Sequence, residues 1–273
     1  MDTLTIGFIG GGNMARSLIG GMLAAGHEPS RICVADPDPE TRERLAREAG
    51  ICVYEDNQQV VEACDVVVLA VKPQVLKSVA TALKPGARPG QLFLTVAAGI
   101  RTESLERWLG GEVAIVRAMP NTPALVQAGA SALYATPRVS GAQREAAESI
   151  LRAVGLVQWI EDEALMDTVT ALSGSGPAYF FLVMEAMEQA AAKLGLPLET
   201  ARLLTVQTAF GAAKLALEIE EEPAVLRENV TSPGGTTEAA LKTLQAGGLE
   251  KLFADAITAA RDRAVELADE LGD

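Results

Sequence analysis

The chain has 273 residues, with 36 acidic side chains against 23 basic ones and a formal net charge of −13. That length allows one large or two ordinary domains, and that charge argues against a nucleic-acid or anionic-membrane surface, which needs clustered lysine and arginine. No stretch approaches the roughly 18 uninterrupted apolar residues of a membrane span, and the opening lacks the basic region of a signal peptide, so a cytoplasmic protein is expected.

A first strand is expected over 4–10, "LTIGFIG", running into a helix over 13–25. Gly10, Gly12 and Ala15 form G-x-G-x-x-A at that junction. Gly10 permits a tight turn, Gly12 lets a pyrophosphate approach the backbone, and Ala15 allows close helix–strand packing. The other reading is a glycine turn with a purely structural role. His27, the only histidine, follows in a polar turn and reads as a surface or capping residue.

The second strand, 31–36, ends on Asp36. A carboxylate there accepts hydrogen bonds from the adenosine ribose of NAD and repels the 2′-phosphate of NADP. Arg31, Arg42 and Arg44 are near enough in sequence to neutralise such a phosphate. Equally, Asp36 caps the helix expected over 39–49.

Further strands are expected over 51–54, 65–71, 91–96 and 113–119, with shorter ones at 130–135 and 156–160. Helical stretches such as 101–109 lie between them, which predicts βα units and a mostly parallel sheet. Two strands end in small residues, Ala70-Val71-Lys72-Pro73 and Ala97-Ala98-Gly99. Open α/β sheets hold ligands outside such carboxyl ends, and Lys72 reads there as a cofactor contact in preference to a catalyst or a solvated strand-end lysine. Cys33, Cys52 and Cys64 fit neither a disulfide framework nor a metal site. Cys33 and Cys52 are expected as small buried apolar residues of strands.

Past residue 163 strand-like runs disappear. Helices are expected over 164–194, 198–220, 223–230, 236–246 and 249–270, the first interrupted by "SGSGPAYF" at 173–180. Residues 1–163 therefore form a dinucleotide-binding domain and 164–273 a helical one. Several of these helices are apolar over most of their circumference, which predicts an intimate dimer.

The chemistry is narrowed by what is missing. Reducing a carbonyl needs a proton donor at the oxygen, yet there is no suitable histidine, and Tyr54, Tyr134 and Tyr179 show no Tyr-x-x-x-Lys pairing. A cyclic imine is basic enough to be protonated from solvent, which leaves the protein the task of positioning. The loop at 231–237, "TSPGGTT", opens a helix and suits an imino acid. Its carboxylate would rest on the N–H groups of Gly234, Gly235, Thr236 and Thr237, at the positive end of the helix dipole. The alternative makes Thr236 the N-cap of an ordinary Pro-Gly turn.

"GFIGGGNMA", "AVKPQ", "AAGI", "RAMPNTPALVQAGA", "SGSGPAYFF" and "TSPGGTTEAAL" occur together and in order. In these the chain resembles the pyrroline-5-carboxylate reductase family from residue 6 to about 265. The resemblance implies an N-terminal Rossmann-like domain and a C-terminal all-α dimerisation domain, with dimers often assembled as a decamer. It implies hydride transfer from NADP(H) or NAD(H) to the C=N bond of L-1-pyrroline-5-carboxylate. The product is L-proline, in the last step of proline biosynthesis.

By the same resemblance Gly10, Gly11, Gly12, Asn13 and Met14 hold the pyrophosphate, and Asn57 reaches the adenosine end. Ala70, Val71, Lys72, Pro73 and Ala97 border the ribose and nicotinamide, and Asn121 of "MPNTP" lies near the nicotinamide pocket. Ser232, Gly234, Gly235 and Thr236 take the substrate carboxylate. Thr237 makes the catalytic contact to the ring nitrogen, with Asn229 and Glu163 nearby. The loop faces the partner subunit's cofactor. Many members carry Ser or Thr at the position of Asp36 and favour NADPH, so Asp36 predicts NADPH use with unusually good tolerance of NADH.

Two rivals are less well supported. A β-hydroxyacid-dehydrogenase-like enzyme needs a catalytic lysine in the helical half, and Lys193 and Lys214, the lysines of its two long helices, do not sit beside a glycine-rich anion loop. A cofactor-sensing or scaffold protein would have lost the substrate loop, which is intact.

Overall fold

The computed structural model describes residues 4–272. Eight strands form one sheet: β1 (Ile6–Ile9), β2 (Ile32–Ala35), β3 (Cys52–Tyr54), β4 (Val66–Leu69), β5 (Leu92–Thr95), β6 (Ala114–Met119), β7 (Gly129–Ala135) and β8 (Gly155–Trp159). Their order is β3-β2-β1-β4-β5-β6-β7-β8, and only the β6–β7 pairing is antiparallel. The chain leaves β1 outward through β2 and β3, then returns to β4 on the other side. That reversal is the topological switch point at which open α/β sheets bind ligands.

The sheet exists because its central strands are apolar on both faces. Ile6 and Phe8 face one cluster with Leu18, Ile19 and Met22 of helix α1 (Asn13–Ala24). Ile9 faces the other. Helix α2 (Pro39–Ala49) contributes Leu45 to the first cluster, whereas α3 (Asn57–Ala63), α4 (Pro73–Leu83) and α5 (Thr102–Leu109) cover the opposite face. Helix α6 (Gly141–Arg152) completes the first face, fixed at its start by a capping box between Ser140 and Gln143.

Two sequence expectations need correction. The helix α2 is capped by Asp38, whose carboxylate accepts from the N–H groups of Glu40 and Thr41, and not by Asp36. Proline at 39 fits the first helical position, so the cap falls on the residue before it. Cys52 is exposed on the edge strand β3, while Cys33 and Cys64 are buried with their sulfurs 3.0 Å apart. His27 closes the end of α1, with its N–H and its Nδ1 both 3.0 Å from the Met22 carbonyl oxygen.

After β8 come α7 (Leu165–Val169), one π-helical turn over Thr170–Gly174, and the helices α8 (Gly176–Lys193), α9 (Leu198–Glu218), α10 (Pro223–Asn229), α11 (Thr236–Ala246) and α12 (Leu249–Gly272). Chain contacts divide the molecule into two compact units. One runs to Ser175 and takes in the chain again from Ala259; the other is Gly176–Thr258. In the first, the end of α12 buries Ala264 and Ala268, and the Gly272 carbonyl oxygen accepts from Ser104 Oγ at 2.9 Å and Arg107 Nη2 at 2.6 Å.

In the second unit α8 and α9 form an antiparallel pair joined through Gly195. It is poor in core: Phe180, Phe181, Leu203, Phe210 and Leu217 are all at least 60% exposed. Among the described residues no helix is long and apolar enough to cross a membrane.

Candidate active site

In the first unit, Ile9 of β1 pairs with Ala35 of β2 and with Leu69 of β4. Gly10, Asp36 and Ala70 therefore emerge side by side at the carboxyl edge of the sheet. The Gly10 N–H donates to the Ala35 carbonyl at 2.8 Å, and the Ala70 N–H to that of Ile9 at 2.9 Å. Gly10 has φ +96°, and a Cβ there would lie 2.8 Å from the Ala70 carbonyl oxygen. Only glycine fits both demands. Above Gly12 the space is open, since a Cβ would meet nothing within 4 Å. Gly12 opens α1 without a side-chain cap, so the N–H groups of Asn13 and Met14 in the first turn have no intrahelical acceptor. An open backbone over unpaired donors fits a pyrophosphate.

Gly10→Ala is accordingly expected to weaken binding of a nicotinamide dinucleotide by about tenfold or more, through strain in the turn. Calorimetric titration of the variant checks this; an unchanged Kd removes Gly10 from the seat.

Asp36 braces this loop. Its Oδ2 accepts from the Gly11 N–H at 2.7 Å and its Oδ1 from the Asp38 N–H at 2.9 Å. Around the same edge, Asn57 is the first residue of α3, Lys72 is exposed just before α4, and Ala97 is buried. Pro73, the first residue of α4, and Val71 are half-buried.

Asn121 and Glu163 have structural bonds of their own. The Asn121 amide donates to the Ser173 carbonyl at 3.0 Å and accepts from the Ala130 N–H at 2.9 Å, tying the loop after β6 to the π-helical turn and to β7. Glu163 Oε1 accepts from the Thr102 N–H at 2.8 Å and from Arg117 Nη1 at 2.9 Å, and Oε2 accepts from the Thr102 hydroxyl. Arg117 Nη2 also lies 3.6 Å from Asp167 Oδ1. This buried charge network fixes β6, α5 and α7 to one another.

The loop of the second unit is built differently from the sequence reading. Gly235 is the N-cap of α11, with no side-chain cap bond, and Thr236 is the first helical residue. The Thr236 hydroxyl is thus not a cap. The Gly235 N–H donates to the Ser232 carbonyl at 3.0 Å, and the Gly234 N–H to Glu238 Oε2 at 2.7 Å. Gly234 has φ +72°, a conformation that suits glycine at this turn. Both glycine N–H groups therefore have partners. The donors still open are the N–H and hydroxyl groups of Thr236 and Thr237, both exposed at the start of the helix. Ser232 is exposed beside them, and the Asn229 amide donates to Glu221 Oε2 at 3.0 Å.

Lys242, at 2.8 Å, and the Gly234 N–H hold the Glu238 carboxyl below the usual carboxylate range. A lowered folded value means that the clamp is complete above the ordinary glutamate range and is lost only as pH falls through the lowered value. The loop geometry is therefore constant around neutral pH.

Two family descriptions match the chain: NADP oxidoreductase, coenzyme F420-dependent, over residues 5–99, and pyrroline-5-carboxylate reductase dimerisation over residues 163–267. The pyrroline-5-carboxylate reductase of Pseudomonas aeruginosa is 56% identical over 272 residues, covering the whole of both chains. This chain belongs to the pyrroline-5-carboxylate reductase family. A solved pyrroline-5-carboxylate reductase structure from Coxiella burnetii superposes with a TM-score of 0.94 at 50% identity, over 97% of this chain and 98% of that one. The Plasmodium falciparum pyrroline carboxylate reductase, solved with NADP bound, gives 0.86 at 28% identity over 98% and 99%. With its mostly parallel sheet and helical second half, this reductase is an NAD(P)H-dependent oxidoreductase.

Three contributors escaped the sequence reading. Asp38 was legible as an acid directly before a helical proline. Glu238 stands three residues after the N-cap, the spacing of a capping box. Arg117, a lone charge inside the apolar strand "VAIVRAM", signals a buried partner that spacing alone cannot name.

Proposed function

We infer that this reductase converts L-1-pyrroline-5-carboxylate to L-proline with NAD(P)H, and that it does so as a homodimer through its helical unit. The observation that carries the reading is a division of labour between two loops. The glycine turn presents open backbone at Gly12 and the unpaired N–H groups of Asn13 and Met14 for a pyrophosphate. The start of α11 presents two threonines whose donors are uncommitted, with no basic side chain among residues 230–241. Neutral donors and a helix dipole suffice for one carboxylate.

The residues fit the cofactor: Gly10 to Met14 hold the pyrophosphate, Asp36 and Asn57 the adenosine half, and Ala70 to Pro73 with Ala97 the nicotinamide half. The bound nicotinamide supplies the hydride. Asn121 shapes that pocket through its two bonds rather than by direct chemistry, and Glu163 does the same through Thr102 and Arg117. The substrate carboxylate rests on the N–H groups of Thr236 and Thr237 and the Ser232 hydroxyl. Gly234 and Gly235 give the loop its shape, and Asn229 anchors the segment before it. The Thr237 hydroxyl oxygen accepts from the protonated ring nitrogen and fixes the C=N bond in the plane for attack. Water supplies the nitrogen's proton, so the protein contributes orientation more than acid strength.

Exposure of Phe180, Phe181, Leu203, Phe210 and Leu217 supports the dimer, because a helical unit with so little core needs a partner for its apolar faces. The loop of one copy then serves the cofactor of the other, and five dimers form a decamer. Light scattering is expected to show at least two 28.6 kDa chains per particle, with five pairs in the largest form; a monomeric, active protein would refute it. The activity itself is tested by following nicotinamide absorbance with purified protein, pyrroline-5-carboxylate and either cofactor. No oxidation of NADH or NADPH would end this reading.

A further inference from the structure

We propose that Asp36 makes this reductase prefer NAD(H) over NADP(H), an inference that rests on the dinucleotide reading of the Gly10–Met14 turn. The carboxylate takes the two hydroxyls of the adenosine ribose, and the backbone around it holds nothing to receive a 2′-phosphate.

A phosphate dianion needs N–H groups or cations. From Asp36 to Arg42 every main-chain donor is engaged or missing. The Asp36 N–H donates to the Tyr54 carbonyl at 3.2 Å and the Asp38 N–H to Asp36 Oδ1 at 2.9 Å. Those of Glu40 and Thr41 donate to the Asp38 carboxylate, and that of Arg42 to the Asp38 carbonyl at 3.1 Å. Pro37 and Pro39 have no N–H. Even the Thr41 hydroxyl is bound, to Asp38 Oδ2 at 2.6 Å.

Two of the three nearby arginines, Arg42 and Arg31, have partners as well. Arg42 Nη1 donates to the carbonyls of Asp36 and Pro37 at 2.7 and 2.9 Å, and Nη2 lies 3.7 Å from Glu55. Its side chain is only 18% exposed, so it is built into this corner. Arg31 stands 3.7 Å from Glu28. Arg44 sits beyond the first turn of α2 and has its Nε buried without a hydrogen-bond partner. It is the one cation through which a phosphate reading could survive, and it therefore enters the test.

Asp36 itself is held ready for a diol. Each carboxylate oxygen accepts one backbone N–H, at 2.7 and 2.9 Å, which fixes its plane beside the glycine loop. Each retains lone-pair capacity for a ribose hydroxyl. A 2′-phosphate brought to the same place meets this carboxylate and that of Asp38 with no free main-chain donor from Asp36 to Arg42, a like-charge contact that disfavours the wrong ligand.

The test is calorimetric titration of the purified full chain with NADH and with NADPH, without substrate, for wild type, Asp36→Ser, Asp36→Asn and Arg44→Ala. Wild type is expected to bind NADH roughly tenfold or more tightly than NADPH. Asp36→Ser, and Asp36→Asn which keeps the side-chain shape, are both expected to shift that ratio toward NADPH by about the same factor. Melting curves verify that the variants are folded. Wild type binding NADPH as well as NADH overturns the preference and leaves the dinucleotide site standing. So does tight NADPH binding that Arg44→Ala abolishes. An unchanged ratio in both folded Asp36 variants overturns the role of Asp36. Binding of neither nucleotide overturns the reading of the turn itself.

Discussion

Thr237→Ala is expected to lower turnover of pyrroline-5-carboxylate by about one to three orders of magnitude while leaving the Kd for the dinucleotide unchanged. The structure makes this a clean substitution. Thr237 is the second helical residue of α11, whose N-cap is Gly235 without any side-chain bond, so no cap is lost. Alanine is a good helix former, and the loop is held by the bonds of Gly234 to Glu238 and Gly235 to Ser232, which do not involve Thr237. What disappears is one exposed hydroxyl with its neighbouring methyl group, and Thr237→Ser separates the two. If that hydroxyl orients the ring nitrogen, its loss misplaces the C=N bond and lowers kcat more than it raises KM. Thr237→Ser keeps the hydroxyl and is expected to retain most of the activity. If the start of α11 seats the substrate carboxylate as proposed, Thr236→Ala should act mainly on KM, because backbone N–H groups would share that carboxylate. Wild-type turnover by a folded Thr237→Ala enzyme would remove the residue from the mechanism.

How much was readable in advance varies with the range of the interaction. Six of the eight strands lie within the apolar runs expected from the sequence, and β7 and β8 start one residue earlier, at Gly129 and Gly155; the central strands, buried on both faces, leave near-continuous signals such as "DVVVLAV". The glycine turn was legible because tight geometry restricts the residue type. The cap lies two residues beyond the expected one: Asp36 and Asp38 are both acids before Pro39, and only the folded geometry separates the brace from the cap. At "SPGGTT" the glycine N–H groups looked free, yet Glu238 and the Ser232 carbonyl occupy them. The return of α12 to the first unit left no signal either. It depends on Ala264, Ala268 and the Gly272 carbonyl meeting α5, partners more than 150 residues away in the chain.

Arg117 carries the second large effect, this time on stability. Its side chain is 4% exposed, in register with Thr95 on the neighbouring strand, and it faces two carboxylates, Glu163 at 2.9 Å and Asp167 at 3.6 Å. Replacing it by methionine preserves much of the apolar stem but leaves both acids without a cation. Glu163 keeps Thr102, whose N–H and hydroxyl both donate to it, whereas Asp167 Oδ1 already lacks a hydrogen-bond partner. Removing one side of such a buried pair costs about 3–5 kcal/mol, because the remaining charge is stranded. At roughly 2–4 °C per kcal/mol for a domain of this size, the melting temperature should fall by about 10 °C. Arg117→Met with Glu163→Gln removes a stranded charge while Thr102 keeps a side-chain partner, so the double variant should recover part of the loss. A single variant melting within a degree or two of wild type would show that the network is not a stabilising one. The effect reaches the site through chain continuity: Met119 and Asn121 follow on the same segment, and Asn121 reads out the position of β6 through its bonds to Ser173 and Ala130. If Asn121 shapes the nicotinamide pocket as proposed, the folded fraction of the Arg117 variant should bind dinucleotide at the Gly10 turn, which is built on β1, β2 and β4, yet turn over slowly.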